Sequence, residues 1–159
     1  MIKLNRKKTR KLLFQKIYAM SFWDFNNDLF DESFYEGVFD FDMDKVYYTE
    51  MSDIIIRNEK FFIQILEKYA PKFKISQMNT MYVLPVYIGL AEIFYLTEEI
   101  PIKVSMNESI EIAKAFWDDS AKKIVNWVLN NVYKNYDELK ELSKNPTENT
   151  DFSIFKKTS

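Results

Sequence analysis

Cysteine and histidine are both missing from the 159 residues. Their absence removes disulfide frameworks, thiolate and imidazole zinc sites, Ser-His triads and Cys-His dyads together. Carboxylate pairs, tyrosine, lysine and magnesium chemistry are left, but the many Asp and Glu are more simply solvated surface. No enzyme, cofactor or metal site is therefore expected. Only two glycines occur, which disfavours a turn-rich β protein and the glycine loops that cradle nucleotide phosphates. No apolar run reaches the roughly 20 residues that cross a bilayer, so no membrane association is expected. A lack of cysteine fits a reducing compartment, and a cytoplasmic protein is expected. The opening 1–20 is basic and acid-free like a leader. Gln15 and Lys16 interrupt its apolar part, however, and its apolar positions run on as a core helix would.

What is present reads as helix. Apolar residues make up 47% of the chain, enough for one ordinary all-α domain with a single core. We place that domain at 1–143 and a polar tail, containing Pro146, at 144–159.

The net charge of −2 conceals a segregation. From Lys3 to Lys16 every charge is positive, and from Ile17 to Asp44 every charge is negative, which implies two distinct surfaces. Leu13, Ile17 and Met20 share a helical stripe that meets Arg10 and Arg6 when continued backwards. Two unpaired guanidinium groups are costly to bury. The first turns are accordingly expected to overhang the body, with Arg6 and Arg10 on one side and Lys7, Lys8 and Lys11 around them, open to an anionic partner.

The stretch from Ile100 to Leu129 predicts a helical hairpin. Pro101 stops what precedes it, and Ser105 with Glu108 forms an S-x-x-E capping box, starting a helix near Met106. Met106, Ile110, Ala113 and Trp117 fall on its buried stripe, widened by Ile112 and Phe116. Asp118, Asp119 and Ser120 interrupt the pattern, and either Asp119 or Ser120 caps a second helix that buries Ala121, Ile124, Val125, Val128 and Val132. Elsewhere the spacing predicts a short helix over 28–36 with Gly37 as its stop. A long helix follows over 46–69, ended by Pro71. The next is capped by Ser76 and kinked or broken at Pro85, and a short last helix covers 135–142.

IPIKVSMNESIEIAKAF followed by DSAKKIVNWVL resembles the NusB family, whose pattern runs through a proline, "KV", an "NE" opening a helix, "ELAK-F", then "DS" and "FVN-VL". RKKTRKLLFQKIYAM is similar to that family's arginine-rich opening, and Glu92 adds a further match. The resemblance implies a NusB-like fold of two small helical bundles and a role without catalysis. It implies binding of the single-stranded boxA element of nascent rRNA transcripts, as a heterodimer with NusE, the small-subunit ribosomal protein, within an RNA polymerase antitermination complex. By position, Arg6, Lys7, Lys8 and Arg10 would hold phosphates, and Tyr18 would support or stack on the RNA. Phe116, Asp119 and Ser120, with Lys123 and Asn126, would line the site from the second bundle. Pro85 and Ala91 lie in a region that would face the protein partner. Two glycines of the pattern are replaced by Trp117 and Trp127, so packing or loop shape must differ there.

Two other readings are open. A NusB-fold interaction module without RNA binding would dock a partner through the acidic, aromatic segment 24–44. The RNA-binding N-terminal domain of an rRNA methyltransferase resembles the same fold, and applies if the sequence is a fragment.

Overall fold

The structure, a computed structural model, describes residues 4–22, 25–33, 41–71, 79–116, 119–145 and 152–156. Those residues form eight helices and no strand: α1 (Arg6–Ala19), α2 (Asn27–Glu32), α3 (Lys45–Arg57), α4 (Glu59–Tyr69), α5 (Thr80–Tyr95), α6 (Ile102–Phe116), α7 (Asp119–Lys134) and α8 (Tyr136–Lys144). Side-chain caps set four of the starts. Asn5, Asn26, Asp44 and Asn79 each accept from a backbone N–H in the first turn of α1, α2, α3 and α5.

Helix α5 organises the rest. It is apolar on all sides and buried throughout from Val83 to Phe94, as a helix surrounded by others must be. Helices α6 and α7 pack on it and on each other, and α4 and α8 join through α7. Helices α1 and α3 pack on α5 from another side. The two expected bundles therefore share one central helix. Gly89 explains how close the packing is: a Cβ there would lie 2.6 Å from Ser109 Oγ and 3.1 Å from Leu129 Cδ1.

Several expectations require correction. The helix over 46–69 is two helices, divided at Asn58, whose side-chain amide donates to the Ile54 carbonyl at 2.8 Å. The break turns Glu59 inward, where it accepts from Tyr87 Oη (2.9 Å), the backbone N–H of Ile154 (3.0 Å) and Ser153 Oγ. Part of the tail expected to hang loosely is thereby held: Ile154 is buried, Phe155 packs on Tyr87, and Lys156 N–H donates to the Met20 carbonyl. Helix α6 starts at Ile102, with the N–H groups of Val104 and Ser105 bonded to the Pro101 carbonyl. Ser105 and Glu108 are thus inside the helix and form no capping box. Asp119 and Ser120 both lie in the first turn of α7 instead of preceding it. Helix α5 runs through Pro85, whose missing N–H removes a bond only from an early turn. Pro85 and Ala91 are both buried among the helices. Helix α2 is shorter than expected, and Gly37 and Ser76 lie outside the described residues.

Candidate nucleic-acid interface

Arg10 decides how α1 sits. It is 4% exposed, and its Nε and Nη2 donate to the two carboxylate oxygens of Glu92 at 2.7 and 3.1 Å. Its Nη1 stands 3.7 Å from Glu108 on α6, and its guanidinium lies over the Tyr47 ring. Glu92 also accepts from Tyr47 Oη and from Ser105 Oγ. Burial opposes the charge on Arg10, and the hydrogen bonds and charge of Glu92, aided by Tyr47 and Glu108, more than restore it, so its pKa is raised. Tyr47, buried beside Glu92, is likewise held well above the ordinary phenol value.

The overhang expected of the first turns is therefore absent. A buried guanidinium is costly only when unpaired, and here a carboxylate from α5 meets it with bidentate geometry. Arg10 docks α1 onto α5 and α6 and is not presented to solvent. Arg6 stands at the border: its side chain is 37% exposed, and Nε and Nη2 reach Asp44 Oδ2 at 3.2 and 2.9 Å. Asp44 in turn accepts from Tyr47 N–H and caps α3. Lys16 pairs with Asp31 at 3.3 Å. The basic and acidic segments thus partly neutralise one another across α1, α2 and α3, and are less separate than their charge pattern implies.

What α1 does present is a stripe. Lys7, Lys8, Gln15 and Tyr18 are exposed and Lys11 is half-exposed. At about 100° per residue, Lys7, Lys11 and Tyr18 fall within roughly 40° of one another. Lys7 and Lys11 make no ion pair with any described residue, while the Lys8 ammonium lies 5.3 Å from the Phe41 ring centroid. Tyr18 is 37% exposed. Its ring stacks on Phe14 with 4° between planes and meets Phe22 edge-on at 5.1 Å, which leaves a braced aromatic surface at the end of the lysines. Lys11 is among the residues the sequence leaves open to an anionic partner, and Gln15 is added by the i, i+4, i+8 spacing from Lys7 once Arg10 is assigned to the buried side.

The second part of the expected site lies at the turn between α6 and α7. Asp119, Ser120, Lys123 and Asn126 are all exposed along the first two turns of α7. The side chain of Phe116, with Trp117 and Asp118, lies outside the described residues. Through Arg10 and Glu108, α1 is fastened to α6, the helix that leads into this turn. Phe116 follows Glu108 by about 12 Å along the axis. Trp127, standing where the family pattern has glycine, donates its indole N–H to the Tyr69 carbonyl at the end of α4, a tie that glycine lacks.

Among the described residues no three acidic side chains converge as metal ligands, and no helix is long and apolar enough to cross a membrane. The geometry offers cations, an aromatic face and polar groups for base edges, the three things a single-stranded nucleic acid binds to.

Comparison with known proteins adds the lineage. The NusB family model matches residues 7–134. Transcription antitermination protein NusB of Dictyoglomus turgidum is 27% identical over 145 residues, covering 87% of this chain and 88% of the relative. The proteins of that name from Ligilactobacillus salivarius and Clostridium novyi are each 30% identical, over 133 and 137 residues, covering 81% and 82% of this chain and 98% and 99% of theirs. With that match over most of its length, and with the all-helical architecture that the motifs imply, the chain belongs to the NusB family.

Proposed function

We propose that this protein is a non-catalytic, cytoplasmic transcription antitermination factor that binds single-stranded boxA-like RNA of nascent rRNA transcripts. It does so together with NusE, as part of an RNA polymerase antitermination complex. The observation that carries this reading is the α1 stripe: Lys7 and Lys11, without an ion pair to any described residue, ending in the braced, exposed Tyr18, on a protein whose net charge is −2. Lys7, Lys8 and Lys11, with Arg6 at the border, track the phosphates. Tyr18 stacks on a base. Asp119 and Ser120, with Lys123 and Asn126, contribute from the start of α7, and Phe116 joins them from the end of α6. Asp119 repels phosphate and is suited to accept from a base amino group. Arg10 acts through position, by holding α1 on α5 and α6.

Fluorescence anisotropy with boxA-like and scrambled RNAs, with and without NusE, tests this. Affinity for the boxA-like RNA should fall with salt by about 0.7 logarithmic units per neutralised phosphate. The Lys7→Glu/Lys8→Glu variant should lose at least about tenfold in affinity with its helical circular dichroism intact. Equal affinity for the scrambled RNA, or none lost in the variant, refutes the reading.

One observation favours the alternative of a protein-docking module without RNA binding. Helix α2 buries none of its residues and leaves Leu29 65% exposed beside Asp28 and Glu32. Salt-insensitive partner capture lost on Leu29→Lys, with no RNA retention, would establish it.

A further inference from the structure

Beyond the turn that starts α7, the surface of that helix changes character. From Ser120 to Tyr136 the chain has no Asp or Glu, while Lys122, Lys123 and Lys134 alternate with Asn126, Asn130, Asn131 and Asn135. That is unusual in a chain with more acids than bases. On the α6 side this helix bounds a groove of about 260 Å³, lined by the apolar Met106 and Ile110 and by Lys103, Asn107, Asn126, Asn130 and Tyr133. No carboxylate is among the described residues that line it.

Its polar groups are arranged rather than scattered. Asn130 Nδ2 donates to Asn126 Oδ1 at 3.0 Å. This fixes the two amides side by side and leaves the Asn126 amino group and the Asn130 carbonyl oxygen for other partners. A donor beside an acceptor is what the edge of a base requires. Tyr133 is 44% exposed, and the Lys103 ammonium lies 5.9 Å from its ring centroid. With the ammonium over one face of the ring, the exposed remainder of Tyr133 is a stacking surface with a phosphate anchor next to it. Tyr133 follows Asp119 by about 20 Å along the helix axis, far enough to serve nucleotides beyond those at the turn.

The geometry points to a second RNA subsite: the groove between α6 and α7 takes single-stranded RNA as it leaves the start of α7, stacking a base on Tyr133, reading its edge with Asn130 and with the Asn126 amide it shares with the first site, and holding its phosphate with Lys103. This inference rests on the RNA-binding reading above. The lining decides for RNA over a protein segment, since cation, amides and an exposed ring complement phosphates and bases.

The test uses the full chain and two RNA lengths. A fluorescein-labelled boxA-like RNA of about nine nucleotides fills the first site, and the same RNA carries about five extra adenosines at its 5′ or its 3′ end. One extension should raise affinity about tenfold, the worth of one stacked base, and the other should not. Lys103→Ala/Tyr133→Ala, both on the surface, should remove that gain and leave affinity for the short RNA within about twofold. Asn130→Asp, which adds a charge and almost no volume, should also remove it. A gain from neither extension, or one that persists in both variants, overturns the subsite and leaves the groove to a protein partner. Failure of the short RNA to bind refutes the first site instead, so the two failures are distinguishable.

Discussion

Replacing Arg10 by Met should damage stability far more than it damages contact with RNA. The substitution keeps the aliphatic stem and removes the guanidinium, leaving Glu92, 1% exposed, with Tyr47 and Ser105 as donors but no cation. Stranding one member of a buried ion pair costs about 3–5 kcal/mol. For a domain of this size that lowers Tm by roughly 10–15 °C. Adding Glu92→Gln should recover about 2 kcal/mol, because the amide carries no charge yet keeps an oxygen for Tyr47 and Ser105. Urea denaturation followed by circular dichroism measures both. At a temperature where Arg10→Met is folded, its salt slope for RNA should equal that of the wild type. A cost below about 1 kcal/mol together with a slope reduced by about 0.7 would refute the reasoning, since Arg10 would then be holding a phosphate and not Glu92.

Three further outcomes follow from the packing and the buried acid. Gly89→Ala should destabilise by about 1–3 kcal/mol, because its Cβ meets Ser109 Oγ and Leu129. Ser109→Ala in the same chain should recover much of that loss, since the hydroxyl has no hydrogen-bond partner among the described residues while Leu129 stays in tight contact. Urea midpoints check both, and a double variant no more stable than Gly89→Ala alone would contradict the close approach. Burial raises the pKa of Glu59 above 4.5 despite hydrogen bonds from Ser153, Ile154 and Tyr87. The fold therefore favours the protonated form: the stability of wild type relative to Glu59→Gln should decline as pH rises from 4.5 through the raised value and then level off. Unfolding free energies between about pH 4 and pH 8 test the sign, and a difference that grows with pH would contradict it.

The α6–α7 hairpin was legible because its apolar spacing is strong and local. Ala121, Val125, Val128 and Val132 are buried as the spacing predicts. Its start is not legible, because Ser105, by sequence an ideal cap, spends its hydroxyl on Glu92 instead. Arg10 was misplaced for a related reason. A sequence shows the charge that must be paired but not a partner 82 residues away, so exposure was the default reading. Asn58 carries no glycine or proline to mark the break between α3 and α4. Its side-chain bond to Ile54 and the inward pull on Glu59 are tertiary effects. The polarity of the tail suggests a loose segment, yet Ile154 and Phe155 are apolar residues within it, and the core uses both.

RNA binding by this protein requires α1 and the start of α7 to act on one RNA strand. Titrating isotope-labelled protein with short boxA-like RNA and following backbone amide shifts tests this directly. Amides at 6–8, 11 and 18 and those at 119, 120, 123 and 126 should shift together with a single dissociation constant. Shifts confined to one of the two segments, or titrating with different constants, would contradict this requirement.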